Sequence, residues 1–395
     1  MRSRSLGHDS NSGTRGLALN AVKLLKQRDV FEDGVRVLDC PVFPDNRGRL
    51  LARATIRLLS MIISSAPMRI SFAGGGTDLP DFYTKYPGRV ISTAIDKFIF
   101  IAINHAPYTN HVAARYSLSE EVSHPSELKN TRIREALLDL GIEKNIEIGS
   151  FAPIPAKTGL GSSSSFSVAL MKGLYAYIGK KLDKREVAEA ACRLEIDLVK
   201  EPIGKQDQYA AAFGGFNVLQ FNPDGSVDVE PVLLDYKKRM QLESHLILFF
   251  LGTTRDASSV LTEQKANTQK NFEILKRMSD SVPVFKEALL HADFKSAGEM
   301  LLDGWTMKKQ LASAISNTGI DNLYEIAIGR GAWGGKILGA GGAGCLMMLA
   351  PLDKRAAVVE ALTVGAQAEG FEAACEIPVG FVQAGAEIVT NSYGR

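Results

Sequence analysis

The stretch PIPAKTGLGSSSSFSVALMKGLYAYIG runs from Pro153 to Gly179. Its first half is small and polar, and its second half is apolar at helical spacing. Phe166, Leu170, Leu174 and Ile178 recur every four residues, which predicts one face of a helix beginning just after Gly161. Four consecutive serines, Ser162 to Ser165, therefore stand at a helix N-terminus. Backbone N–H groups are unpaired there and the helix carries partial positive charge. Gly159 and Gly161 let an anion approach the backbone, and the serine hydroxyls add donors, one of which could ligate a metal ion. Together these form a phosphate cradle. A serine-rich cap or flexible linker is the alternative, but a linker fits poorly where the helix starts without a gap. No Lys-Ser/Thr pair follows the glycines, so this is not the common P-loop.

The rest of the chain bounds the problem. Its 395 residues are 45% hydrophobic and 23% charged, an ordinary globular composition with room for two domains. A net charge of +2 gives no bias toward nucleic acid or an anionic membrane. The longest apolar runs, such as LILFFL at 246–251, are too short to span a bilayer. Cys40, Cys192, Cys345 and Cys375 are scattered, which suggests free thiols in a reducing compartment, hence a cytoplasmic protein. Residues 1–60 hold eleven Lys/Arg against six Asp/Glu and lack an unbroken apolar centre. They read as a poorly ordered or atypical extension, with a short amphipathic helix an option near 16–28.

Packing signals begin at Met61. MIISSAPMRISFAG, GRVISTAIDKFIFIAINHA, IEIGSFAPIP, FNVLQF and SHLILFFLG read as strands. KLDKREVAEAACRLEIDLVKE reads as a helix capped by Asp183 with Glu186 three residues on. Further helical stretches run near 261–278, 284–311 and 354–369, and a strand closes the chain. No repeat is visible, and strands and helices mix without strict alternation, which points to α+β architecture.

Three further clusters carry polar chemistry. In SFAGGGTDLPDF, Thr77 and Asp78 follow three glycines; Asp78 either caps the next turn or binds hydroxyls of a sugar or polyol. In EPIGKQDQYAAAFGG, Asp207 falls near a helix start, where the dipole favours its ionised form. Glu195 shares a helical line with Ala188, Ala191 and Leu198, which is unusual for a solvated glutamate; a structural ion pair and a metal ligand both remain open. GAGGAG at 339–344 satisfies a dinucleotide pattern, but the following CLMMLAP reads as a strand, so the loop joins two strands and leaves space for a ligand or the phosphate loop. A metal-binding carboxylate, a phosphate cradle and a carboxylate base are the parts that phosphoryl transfer needs.

APMRISFAGGGTD, PIPAKTGLGSSSSFS and GGKILGAGGAGC, in that order, resemble the three motifs of the GHMP kinase superfamily. Within it, GKQDQYAAAFGG and FLGTTRDASSVL are most similar to the bacterial D-glycero-D-manno-heptose 7-phosphate kinases. The resemblance spans about 61–395. It implies an N-terminal domain like domain 2 of ribosomal protein S5 over 61–243, a ferredoxin-like C-terminal domain over 244–395, and ATP in the cleft between them. It implies phosphorylation of the anomeric hydroxyl of the heptose 7-phosphate with ATP and Mg²⁺, toward nucleotide-activated heptose for surface glycans. Gly159, Leu160, Gly161, Ser162, Ser163 and Ser164 match the phosphate loop, with Ser163 and Glu195 the Mg²⁺ ligands. Asp207 matches the base, and Arg69 the cation that favours its ionised form and the charge developing in transfer. Thr77 and Asp78 would hold sugar hydroxyls, Arg255 the sugar or its distal phosphate unless it is a surface arginine, and Gly341 and Gly342 would line the site. Ala343 interrupts a glycine run that is often longer in this family. The partners implied are ATP and a sugar phosphate, with a homodimer left open. A kinase for L-fucose, a uronic acid or galactose is the nearest alternative, and a catalytically silent sugar sensor the next.

Overall fold

The computed structural model describes residues 30–32, 35–37, 61–254 and 258–392. Val30–Glu32 and Val35–Val37 pair antiparallel, with Val30 opposite Val37, in a unit comprising 1–60 and 392–395. Nearly all of the expected extension, its optional helix, Cys40 and Arg255 lie outside the described residues. Residues 61–391 form the other unit.

The first sheet is built on two long strands, β1 (Met61–Ala73) and β2 (Gly88–His105), paired antiparallel along most of their length. Both were legible as strands from apolar and β-branched content between turn signals, β2 also by alternation in its later half. β3 (Val112–Arg115), β4 (Ser119–Val122), β5 (Ile146–Phe151), β6 (Phe216–Phe221) and β7 (Val227–Pro231) extend it, with β3 parallel to β5 and every other pairing antiparallel. The second sheet is antiparallel, in the order β9 (Gly334–Ile337), β10 (Cys345–Leu349), β8 (Leu246–Phe250), β11 (Cys375–Glu376). The last strand, β12 (Glu387–Asn391), does not join this second sheet. It returns to the first one, placing Glu387 opposite Ser65 and Ile388 opposite Ser64.

The serine-headed helix is α1 (Ser162–Tyr177), and it packs on β1 and β2. The every-fourth apolar line does not mark its buried face: Leu170 and Leu174 are buried, but Ile178 is 37% exposed. The face against the sheet is instead the small-residue line Ser165, Ala169 and Gly173. Ser165 Oγ donates to Pro67 O at 2.8 Å, and Ser64 Oγ donates to Ala169 O at 2.7 Å. A Cβ on Gly173 would lie 2.7 Å from Ser64 Oγ and 2.8 Å from Ile103 Cδ1. Close approach of helix and sheet requires small residues there, and a hydropathy pattern is blind to that requirement.

The helix around Glu195 also departs from expectation. α2 (Lys184–Cys192) carries the expected capping box, with the Asp183 and Glu186 side chains each bonded to the other's backbone N–H. At Arg193 the winding widens into a π-turn over Arg193–Leu198, closed by Val199 N–H on Leu194 O. π-turns shift the register of the side chains that follow, and Glu195 becomes fully buried. The next helix, α3 (Gln206–Phe213), contacts α1 and α2.

The break expected between 278 and 284 does not occur, although Pro283 lies there. α4 (Phe272–Leu290) runs through it, and the break comes at Ala292, where φ is 57° and Asp293 caps α5 (Phe294–Lys308). Burial of Val282 and Phe285 on either side offsets the ladder bond that proline removes. Phe285 brings α4 onto the first sheet: its ring lies 5.7 Å from Phe72, which stacks at 5.4 Å on Phe216. α6 (Thr318–Gly329) and α7 (Leu352–Ala368) pack on each other. No described helix is long and apolar enough to cross a membrane.

Candidate active site

Three segments far apart in sequence meet at the start of α1. The loop 157–161 turns with positive φ at Lys157, Gly159 and Gly161. Against it lies the glycine loop between β9 and β10. A Cβ on Gly159 would sit 2.6 Å from Leu338 O, one on Gly339 2.7 Å from Gly159 Cα, and one on Gly344 2.5 Å from Thr158 O. Cys345 N–H donates to Thr158 O at 3.0 Å. The two glycine-rich loops thus need to lack side chains chiefly because each occupies the other's space. As read from the sequence, the loop at 339–344 joins two strands and carries no dinucleotide helix.

β1 supplies the third segment. A bulge between Pro67 and Arg69 interrupts its ladder, a device that re-aims side chains. Arg69 N–H donates to Leu160 O at 3.0 Å, and the side chain crosses Gly161, where a Cβ would lie 3.2 Å from Arg69 Cγ. Its Nε and Nη2 donate to Asp207 Oδ1 and Oδ2 at 2.8 and 2.7 Å, and Nη1 donates to Gly159 O at 2.6 Å. One guanidinium therefore ties the candidate base to the candidate phosphate loop in bidentate geometry. Each carboxylate oxygen keeps a second lone pair, and the Asp207 side chain is 24% exposed.

These groups line one cavity of about 410 Å³, together with Ser162, Ser163, Ser164, Gly341 and Asp78. Gly161 makes no side-chain cap on α1, so the first-turn amides are open to a ligand on that side. Thr158 Oγ1, fully buried beside this loop, has no hydrogen-bond partner among the described residues. Positive-φ glycines, an uncapped helix start and an orphaned hydroxyl fit a phosphate-bearing group.

Asp78 faces the cavity and also holds the element that carries Asp207. Its Oδ2 accepts from Gln206 N–H and its Oδ1 from Gln206 Nε2, both at 3.1 Å, so it caps α3 from outside. Burial pushes its carboxyl up to about 6, and the charge of Asp207 adds to the rise. Asp78 does not cap the turn that follows it, where Leu79 precedes the short helix Pro80–Tyr83 with no side-chain cap; the capped element is the distant α3.

Other expected residues lie elsewhere. Thr77 is not among the residues facing the cavity; it is fully buried, and its hydroxyl bonds Gly74 O, Arg89 O and Arg89 N–H. Leu160 is buried in the core, with its carbonyl on Arg69. Gly342 is turned away, its N–H on Ile315 O at 2.8 Å. Of the two expected Mg²⁺ ligands, Ser163 is exposed in the cavity and fits. Glu195 does not fit in this arrangement. Its Oε1 accepts from Arg132 Nε at 3.0 Å and its Oε2 from Gln208 Nε2 at 2.5 Å, and it is Arg132 that lines the cavity. Arg132 also pairs with Glu201 at 2.7 Å. Among the described residues no group of three His, Cys, Asp or Glu converges.

Two cavity residues went unremarked in the sequence. Lys308, at the end of α5, donates to Ile337 O at 2.8 Å and Gly339 O at 2.6 Å. Burial lowers its ammonium to about 7, with Arg69 adding to the fall. Lys336, in β9, is buried and lowered well below the usual lysine range by burial, Lys308 and Arg69. Lys336 in GGKILG is, like Glu195, a charge in an apolar stretch, and that signal is present in the sequence.

Residues 128–215 match the family described as GHMP kinases N terminal domain, and 285–365 match GHMP kinases C terminal. The chain is 28% identical over 318 residues to D-glycero-alpha-D-manno-heptose 7-phosphate kinase of Campylobacter jejuni, covering 77% of this chain and 94% of that one. It is 25% identical to a galactokinase of Mycobacterium bovis, over 59% of this chain and 70% of the relative. A crystal structure of a D-glycero-D-manno-heptose 1-phosphate kinase from Bacteroides thetaiotaomicron superposes with a TM-score of 0.68 at 25% identity, covering 83% of this chain and 99% of that one.

Proposed function

We propose that the chain is a sugar kinase of the GHMP superfamily that transfers the γ-phosphoryl group of ATP to the anomeric hydroxyl of D-glycero-D-manno-heptose 7-phosphate. The observation that carries this reading is the bidentate Arg69–Asp207 pair, set in the same cavity as the uncapped start of α1. In the proposed reaction Asp207 accepts the proton of the anomeric hydroxyl. The freed oxygen attacks the γ-phosphorus, the bond to the β-phosphate oxygen breaks, and ADP leaves. Arg69 holds Asp207 in place, while the amides of Ser162–Ser164 donate to phosphate oxygens. Ser163, whose hydroxyl fronts the cavity, would hold the metal that accompanies ATP, and that ion would offset charge on the transferred phosphoryl group. Asp78 is the carboxylate placed toward sugar hydroxyls.

The heptose assignment rests on similarity to the Campylobacter jejuni kinase along nearly its whole length. The product would be the 1,7-bisphosphate, made in the cytoplasm for nucleotide-activated heptose and surface glycans. We assign the two kinase halves to 61–243 and 244–395, with β12 returning to the first sheet. The galactokinase likeness supports a second reading, an unphosphorylated hexose as acceptor. ADP release measured with the heptose 7-phosphate, the unphosphorylated heptose, galactose and L-fucose tests both. Highest kcat/KM on the heptose 7-phosphate is expected; tenfold preference for an unphosphorylated sugar would overturn the assignment.

A further inference from the structure

Lys336 is out of place by the ordinary rules of burial. It is 6% exposed, yet its ammonium has no hydrogen-bond or ion-pair partner among the described residues. The charged groups that act on it are Lys308 and Arg69, both cations. Arg69 already has its anion in Asp207, and Lys308 is held by two backbone carbonyls. An ammonium buried among like charges, with no counter-ion, is costly to keep. Its side chain lines the cavity that also holds the phosphate loop. The protein therefore keeps an uncompensated amine, ready to take up a proton when an anion arrives, at the wall of a ligand site.

We propose that Lys336, backed by Lys308, is an anion subsite that binds a phosphate group of a substrate inside the cavity. Lysine acts there as a point charge, suited to a phosphate oxygen that arrives with its own negative charge. Lys308 fixes the backbone on both sides of Leu338 and so sets the position of the strand that presents Lys336. This inference rests on the kinase reading, which supplies two sources of the same chemistry: the polyphosphate of the nucleotide and the distal phosphate of the sugar.

Lys336→Met keeps the length of the side chain and removes its charge. Wild type and variant are titrated calorimetrically with a non-hydrolysable ATP analogue and, separately, with the heptose 7-phosphate. At least a tenfold loss of affinity for one of them is expected, with a melting temperature equal to or above that of wild type, because a buried amine without a partner has been removed. Loss confined to the ATP analogue assigns the nucleotide phosphates, and loss confined to the heptose 7-phosphate assigns the distal phosphate. Loss of both assigns a subsite shared during transfer. Affinities within tenfold for both ligands would overturn the proposal, as would a lowered melting temperature or failure to fold, which would make Lys336 a structural residue. If the sugar assignment is wrong, wild type fails to bind the heptose 7-phosphate, and the ATP-analogue arm still decides on Lys336.

Discussion

Arg69 grips both carboxylate oxygens of Asp207, 138 residues further along the chain, and holds the carbonyl of Gly159 with its remaining terminal nitrogen. A strand, a helix start and a glycine loop are thereby locked into one geometry by a single side chain. Such a clamp supplies orientation before any substrate arrives.

Asp207→Asn keeps shape and cannot take up a proton at the same oxygens. Turnover is expected to fall about 10²–10⁴-fold, as for loss of a general base. Affinity for an ATP analogue should stay near wild type, because the loop at 159–164 is untouched. Joint loss of turnover and nucleotide binding would show that the Arg69 clamp, and not proton transfer, is what Asp207 supplies.

Asp78 makes stability depend on pH. Its carboxyl rises from 3.8 to about 6, first through burial. Between those values the native chain holds a proton that the unfolded chain has released. The contribution of this group is therefore most favourable below about pH 4 and declines as pH rises to about 6, by at most about 3 kcal/mol. Asp78→Asn should remove that slope. Urea midpoints for both chains from pH 4 to pH 7 give the difference, and parallel curves would show that Asp78 does not titrate in this range.

Glu195→Gln distinguishes an ion pair from a metal ligand. The geometry here predicts lost stability, toward the low end of the roughly 3–5 kcal/mol for breaking a buried pair, because Arg132 retains Glu201. The Mg²⁺ concentration for half-maximal turnover should be unchanged. A raised Mg²⁺ requirement with unaltered stability would instead place Glu195 on the metal.

Gly173→Ala tests the contact between α1 and the sheet. The added methyl meets Ser64 Oγ and Ile103 Cδ1 below 3.0 Å, and Ser64 is itself held by Ala169 O. A loss of about 1–3 kcal/mol is expected from overpacking. A urea midpoint equal to wild type would mean that the helix shifts freely.

A chain beginning at Met61 should fold and retain kinase turnover, since every element of the two large sheets lies in 61–391. Melting temperature and kcat measured beside the full chain check this. Failure to obtain folded protein would assign residues 1–60 a part in the fold.

Local chemistry made much of this protein legible from its sequence. The capping box of Asp183 and Glu186, the long strands β1 and β2, and the strand-to-strand placement of GAGGAG depend on neighbours a few residues away, so pattern and turn chemistry suffice to read them. The three glycine-rich motifs likewise named a family from short segments. Tertiary structure alone decided what each polar side chain faces. Of the four serines, Ser165 bonds the Pro67 carbonyl while Ser162 to Ser164 front the cavity. Thr77 turns to Gly74 and Arg89, Glu195 turns to Arg132, and Lys336 enters the site without a partner among the described residues. Each outcome depends on a group that is distant in the chain or on one widened helical turn. A helical line names candidates at regular spacing; which of them meets a ligand is set by the packing of β1 against α1 and of one glycine loop against the other.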